Sequence, residues 1–446
     1  MQRLTRRTFV KSIAHAGAAV PLLIPRLLRA APANGKVRYA AIGCNGMGFS
    51  DFKSIIDHPM VEVVALCDVD ENRFDKAAKE RPDAPHFHDF RQMFDKLGDQ
   101  IDAVNVSIPD HMHAYAAIDA MRRGKHVYCQ KPLAHTVWEC RQMTLTAQKT
   151  GVVTRMGNQI HSRDVYRMGA KLVQDGAIGK IKEVHSWTPR VGNDYSKLAK
   201  PPEQSDTPPS NLHWDLWLGA STPRPFVDKI YHPASWRDWK HFGSGCGLGD
   251  FGCHIFDPVF MALQVTAPTS ITSDAEGLHE ESWPTAQTVR YTMPGTQYTA
   301  GKTIVLTWYD GGRQPDRALA QLPTDRKLPA GGSLFIGTEG VMLLPHWSAP
   351  QLYPMDKYQD FKKPQVEGSS HWHDWIDAIL TGKKITDTFA YAGPLAEHIQ
   401  LGNIASRFPG RTLQWDAASM KITGVPEAAS FLTKEYRKGW EIQPVA

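Results

Sequence analysis

Short apolar runs alternate with helix-length stretches along the first third of the chain. Val37–Ile42, Val61–Cys67, Ala103–Ile108, His126–Cys129 and Val152–Met156 read as strands. Ser50–Asp57, Glu71–Lys79, Ala114–Arg123 and Val137–Lys149 lie between them and read as helices. Such alternation predicts a parallel sheet with helices on both faces. The runs are apolar throughout rather than every second residue, as in strands buried on both sides. Past residue 156 the texture changes. Of 13 tryptophans only Trp138 precedes residue 150, and proline-rich stretches appear at 200–210 and 222–225. Lys302–Trp308 and Gly332–Leu344 predict strands; Trp372–Leu380 and Leu395–Ala405 predict helices. The chain thus divides into an α/β domain at 34–155 and an α+β domain at 156–446.

The first 33 residues form a third region. Arg6-Arg7 and Phe9 head an apolar segment from Ile13 to Leu28, and Ala31-Pro32-Ala33 offers a small-residue cleavage site. This is the order of a twin-arginine signal peptide, which predicts export and a periplasmic location. Pro21, Pro25, Arg26 and Arg29 interrupt the run, so it makes a poor membrane anchor. The leader also explains the net charge of +5, because Arg3, Arg6, Arg7, Lys11, Arg26 and Arg29 all lie within it. The remainder is close to neutral and has no electrostatic footprint for nucleic acid. Cys44, Cys67, Cys129, Cys140, Cys246 and Cys253 are sparse and sit mostly in buried runs, so they read as unpaired.

Gly43-Cys44-Asn45-Gly46-Met47-Gly48 follows the first strand and opens the first helix. Glycines there allow a tight turn and a close approach of backbone to a pyrophosphate. Asn45 stands where a glycine is usual, and asparagine tolerates a left-handed backbone. Asp68 ends the second strand, where a carboxylate accepts from a ribose hydroxyl, so NAD is expected in preference to NADP. Asp68 also suits a helix cap, and nearby Arg73 opposes the preference.

Ile108-Pro109-Asp110-His111-Met112-His113 and Gly124–Ala134, which contains Gln130-Lys131-Pro132, resemble the Gfo/Idh/MocA oxidoreductase family. So do Met156–Gln159, Trp214–Gly219 and Gly249–His254. The resemblance implies a Rossmann domain followed by a domain with a large open, mostly antiparallel sheet. It implies a nicotinamide cofactor, a carbohydrate substrate, and a homo-oligomer, dimer or tetramer; export to a compartment with little free dinucleotide further predicts that the cofactor is tightly bound. Lys131, Asp250 and His254 align with the family's catalytic triad. Further cofactor contacts are implied for Pro109, His111, Gln130, Lys131 and Asn158, and substrate contacts for Gln159, His161 and His254.

One departure stands out: the family's usual glutamate before the lysine is Gln130 here. Loss of that acid should lower the lysine pKa. Asp250 and His254, four apart, share one helix face, behind Gly243, Gly245, Gly247 and Gly249, which open a path for backbone to approach a ligand. Spacing alone favours a capping aspartate and a packed histidine, and the resemblance reverses that reading. Oxidation of a secondary alcohol needs a base that titrates near neutrality, the role expected of His254, with Lys131 donating to the alkoxide. Trp214, Trp217, Trp236 and Trp239 precede this region and read first as packing; Trp236 and Arg237 are candidate substrate contacts. The pairs His86/His88, His111/His113 and His371/His373 lack the spacing of a metal site, so none is expected. Three functions remain: a carbohydrate oxidoreductase that recycles its cofactor in place, a redox-neutral NAD-dependent glycosidase, and a non-catalytic binding protein. The intact triad argues against the last.

Overall fold

The computed structural model describes residues 35–445. The leader expected at 1–33 lies outside the described residues. The first sheet is six-stranded and parallel, in the order β3-β2-β1-β4-β5-β6. Its strands are β1 (Val37–Ile42), β2 (Val61–Cys67), β3 (His86–Phe87), β4 (Ala103–Val106), β5 (His126–Gln130) and β6 (Thr154–Gly157). The order reverses between β1 and β4, which opens a crevice above their carboxyl ends, the place where such sheets bind ligands. Two elements were not foreseen: the two-residue β3, and the helix Phe90–Leu97, capped by the Asp89 side chain.

The second sheet is nine-stranded, in the order β13-β12-β11-β7-β10-β9-β8-β14-β15. Its strands are β7 (Ile181–Trp187), β8 (Ser270–Glu276), β9 (Ala286–Pro294), β10 (Thr303–Tyr309), β11 (Gly332–Gly337), β12 (Val341–Pro345), β13 (Gln351–Tyr353), β14 (Thr412–Asp416) and β15 (Lys421–Thr423). Only β10 and β7 pair in parallel; every other pairing is antiparallel. Helix Phe389–Ala405 is buried almost throughout. It has no solvent face because it is covered on all sides, and even its Glu397, His398, Gln400 and Asn403 are buried.

Two parts of the second half return to the first. Helix His371–Thr381 drives Trp375 and Ile376 into the apolar cluster of Tyr39, Phe52 and Ile55. Residues 188–249 form a strap across the crevice, built on Trp217, Phe226, Tyr231, Trp239 and Phe242. Asp70 anchors the strap, accepting from the side chains of Asn211 at 2.6 Å and His232 at 2.8 Å. The Glu71 N–H donates to the Asn211 carbonyl, and the His213 N–H to the Val69 carbonyl, both at 2.9 Å. All six cysteines are free and buried. No helix among the described residues is long and apolar enough to cross a membrane.

Candidate functional site

The crevice has a cradle at one end and a charged cluster at the other. The cradle is the turn between β1 and helix Met47–Ile56. Its left-handed residues are Gly43 (φ 94°) and Gly46 (φ 56°), so Asn45 is not asked for that conformation. Instead its side-chain oxygen accepts from the Gly46 N–H at 2.7 Å. A Cβ on Gly43 would sit 2.2 Å from the Ser107 carbonyl oxygen, and one on Gly48 would sit 2.4 Å from that of Gly43. A Cβ on Gly46 would meet nothing within 4 Å. Helix Met47–Ile56 has neither a side-chain cap nor an acid in its first turn. Its first N–H groups therefore remain for an anion, and the cradle fits the pyrophosphate of a dinucleotide.

Asp68 stands beside the cradle and is not a helix cap. Its carboxylate accepts from the N–H groups of Cys44 at 2.9 Å and Asp70 at 3.1 Å. Desolvation there pushes its pKa up to about 6, against the pull of those two N–H groups. Gly43, Asn45, Gly46, Met47, Gly48, Asp68, Pro109, Gln130 and Lys131 all line the crevice. The strap closes it from above with Trp217, His232, Trp236 and Arg237.

At the far end Lys131, which follows β5, meets Asp250, the first residue of helix Asp250–Leu263. The Lys131 ammonium hydrogen-bonds one Asp250 carboxylate oxygen and lies 3.3 Å from the Asp250 carbonyl oxygen. Arg237 donates to the same carboxylate oxygen at 3.3 Å while its guanidinium stacks over Trp236, 4.2 Å from the ring centre. Burial alone would raise the Asp250 pKa, but Lys131 and Arg237 overrule it and hold the carboxyl far below the usual range. Lys131 therefore does not lack a negative neighbour, as Gln130 led us to expect.

His254 lies one turn on. Its Nδ1 is 2.5 Å from the Asn158 side-chain oxygen, and the Asn158 amide donates to the Cys253 carbonyl at 3.0 Å. That acceptor fixes the proton on Nδ1 and leaves Nε2 unprotonated. Burial, then the Lys131 charge, push the His254 pKa well below its ordinary value. This environment favours the neutral imidazole, against the titration near neutrality that the chemistry led us to expect.

Gln130 explains itself through a residue the sequence did not single out. Asp51, on the inner face of helix Met47–Ile56, is fully buried. One carboxylate oxygen accepts from Trp372 Nε1 at 2.9 Å and the Tyr128 hydroxyl at 3.2 Å. The other accepts from the Ser107 hydroxyl and Gln130 Nε2, each at 2.8 Å. The Gln130 oxygen accepts from the Lys131 N–H at 3.3 Å. A glutamate at 130 would set two carboxylates against each other, so the glutamine is dictated by Asp51. Burial pushes the Asp51 pKa up to about 6, against the pull of its four donors. The legible signal was an acid at 51, on the same helix face as Phe52, Ile55 and Ile56.

Other expected contacts are turned elsewhere. His111 faces away from the crevice: its Nε2 is 3.0 Å from the Trp217 carbonyl oxygen, and its ring packs on Phe242. Asp110 and His113, its neighbours, line the crevice instead. His161 is locked in a buried knot, with Nδ1 2.9 Å from Asp257 and Nε2 2.7 Å from the Thr386 hydroxyl, so neither nitrogen is free for a substrate. Asn158 orients His254 rather than facing the crevice. Gln159 is half-buried at the start of a short turn, Gln159–Ser162, outside the crevice lining. The glycines before Asp250 serve internal packing: a Cβ on Gly247 would strike the Asp310 carboxylate at 2.3 Å, and one on Gly249 the Ser244 carbonyl at 1.9 Å. Trp214 and Trp217 stack on each other at 4.7 Å, and Trp239 is fully buried; these three mainly build the strap.

Comparison with known proteins agrees with this layout. The family model "Oxidoreductase family, NAD-binding Rossmann fold" (Gfo/Idh/MocA) matches residues 37–158. Its companion, "Oxidoreductase family, C-terminal alpha/beta domain", matches residues 167–325. A glycosyl hydrolase family 109 protein of Shewanella sp. strain ANA-3 is 31% identical over 160 residues, 34% of each chain. The 2,7-anhydro-N-acetylneuraminate hydratase of Mediterraneibacter gnavus is 27% identical over 150 residues, 34% of this chain and 39% of that one. The match thus spans about a third of the length of these curated relatives. Among solved structures, the WlbA dehydrogenase of Bordetella pertussis, in complex with NADH and UDP-GlcNAcA, superposes with TM-score 0.59 at 14% identity, over 85% of this chain and 99% of that one. The aldose-aldose oxidoreductase of Caulobacter crescentus gives TM-score 0.57 at 17% identity, over 85% and 99%.

Proposed function

Given that this chain belongs to the Gfo/Idh/MocA oxidoreductase family, we propose that it oxidises a hydroxyl of a sugar, polyol or glycoside with an NAD that stays bound throughout the cycle. The observation that carries this reading is the Lys131–Asp250–Arg237 cluster with a neutral His254 beside it, at the end of a dinucleotide cradle. The nicotinamide, when bound, supplies a hydride acceptor. The chain supplies the rest. His254 Nε2 takes the hydroxyl proton, and Asn158 holds the ring in the tautomer that can do so. Lys131 donates a hydrogen bond to the oxygen as negative charge develops on it. Asp250 fixes that ammonium and stabilises the imidazolium once the proton has moved. Arg237 keeps Asp250 ionised and lies in the crevice wall, within reach of a second substrate hydroxyl.

Retention of the cofactor is supported by the strap, which Asp70 ties across the crevice. Export is supported by the twin-arginine leader: a folded, loaded protein delivered to the periplasm would find little free dinucleotide there. The hydride would then return to a second sugar or to the same one. The latter is the redox-neutral glycosidase reading, favoured by relatives named for glycosyl hydrolase family 109. As in the family at large, the working form is taken to be a homo-oligomer.

The test is to purify the mature protein, denature it and identify the released dinucleotide. The intact protein is then incubated with a panel of sugars and glycosides, following bound-cofactor absorbance and released product together. We expect stoichiometric NAD and turnover without added NAD. An empty protein that needs millimolar NAD and steadily releases NADH overturns the retention reading. His254→Ala should lower turnover at least about 100-fold with NAD still bound; near-normal turnover overturns the site.

A further inference from the structure

Beside Asp68, at the edge of the crevice, three metal-ligating side chains converge from three segments. Glu71 comes from the turn after β2, His88 directly follows β3, and His213 comes from the strap, just before helix Trp214–Leu218. Their ligand atoms all lie within 4.8 Å of one another. His88 Nδ1 is 2.9 Å from the Asp68 carbonyl oxygen, which makes Nδ1 the donor there, so a metal would take Nε2 in place of the proton it shares with Glu71. That Nε2 lies 3.0 Å from the Glu71 carboxylate. A histidine pinned by a backbone carbonyl through one nitrogen is the arrangement that orients metal-binding imidazoles. The His213 ring lies against that of His88, with centroids 4.2 Å apart.

The backbones of two of these donors are already fixed by the cross-bonds of Glu71 to Asn211 and His213 to Val69. An exposed Glu–His contact contributes little by itself. Two imidazoles and one carboxylate, with a position left open to water, are instead the donor set of a borderline divalent ion such as Zn²⁺. Zinc holds its nitrogens at roughly 2.0–2.1 Å, so the three donors would draw together around it from their present spacing of within 4.8 Å.

We propose that Glu71, His88 and His213 bind one divalent transition-metal ion, Zn²⁺ by their chemistry, as a clasp between the strap and the dinucleotide domain. The ion lies outside the reacting centre. Its effect is mechanical: His88 and Asp68 both line the crevice, so a clasp at this point holds the roof shut over the adenosine end. That consequence rests on the proposed retention of NAD; the metal site does not.

The test uses the mature full-length chain, stripped with a chelator and then dialysed against Zn²⁺ alone. One ion per chain is expected, and Co²⁺ in its place should show the visible absorption of a four- or five-coordinate site. His213→Ala and Glu71→Gln should each weaken binding by at least the 10–100-fold that an outer-sphere change costs. Both leave the Asp68 carbonyl contact in place, and circular dichroism verifies their folding. NAD should leave the zinc-loaded protein at least about tenfold more slowly than the stripped one. Absence of stoichiometric zinc, or zinc binding unchanged in both variants, overturns the proposal. Stoichiometric zinc with NAD released quickly, loaded or stripped, upholds the site and instead overturns the retention reading.

Discussion

Asp51 and Asp250 are both buried aspartates, and they flank the Gln130-Lys131 pair from opposite sides. Their acidities diverge. Asp250 faces two cations and is held far below the usual range; Asp51 faces four neutral donors and is pushed up to about 6. Hydrogen bonds alone do not offset the desolvation of a carboxylate at Asp51, whereas a cation at contact does at Asp250. The molecule thus has a firmly ionised acid at the charged end of the crevice. On the structural side it has a softer one, whose acceptor-only geometry fixes the floor of the site.

The largest expected effect comes from removing the cation that separates the two cases. Lys131→Met should cut turnover about 10²–10⁴-fold with NAD still bound. Steady-state kinetics on a substrate of the wild type checks this, and near-normal kcat would erase the distinction.

Next comes Gln130→Glu, which gives Asp51 a like charge at contact. The two carboxylates then share a proton, so activity should fall by about tenfold or more as pH rises above 6, while the wild type stays level. Adding Asp51→Asn to the same chain should restore it, because the new amide can donate to the introduced carboxylate. A variant that follows the wild-type pH profile would mean the two side chains do not communicate.

A smaller effect appears in stability. A pKa raised from 3.8 to about 6 means that the folded state holds the Asp51 proton more tightly than the unfolded one. Its contribution therefore falls as pH rises through that window and is constant above it. Asp250, shifted the other way, contributes stability above its unfolded pKa that is lost as pH falls. Urea unfolding of wild type and Asp51→Asn between pH 4 and 7 isolates the first slope. The difference between the two should change by roughly 3 kcal/mol across the window; parallel curves would place the Asp51 pKa near its ordinary value.

The smallest effect belongs to Asp68, an intermediate case with two backbone donors and a pKa of about 6. Ionised, it repels a 2′-phosphate, so preference for NAD over NADP should narrow as pH falls through 6 and in Asp68→Ala. Binding of each dinucleotide to cofactor-stripped protein measures it.

The sequence carried most of the first domain because its strands are continuous apolar runs closed by glycine turns. It missed β3, whose two residues are too short for any period, and it missed helix Phe90–Leu97. The order of the second sheet was beyond reach because β7 pairs with β10 and β11, more than a hundred residues away. The resemblance pointed to Lys131, Asp250 and His254, which the structure brings together, and structure alone gave the partners that set the protonation of Asp250 and His254. His111 and His161 were misplaced for one reason: a motif fixes a backbone position, while the direction of a ring depends on neighbours such as Trp217 and Asp257, which lie far off in the chain.

The six buried thiols have a practical consequence. Burial raises the pKa of each, so reagents that require thiolate will ignore the closed protein. Cys44 and Cys67 back the glycine cradle, while Cys246 and Cys253 bracket Asp250. Alkylation followed by peptide mass mapping therefore acts as a clock with hands in two places. It times the opening of the cradle and of helix Asp250–Leu263 separately, without a label being introduced. Ligands that close one half should slow its own cysteines alone.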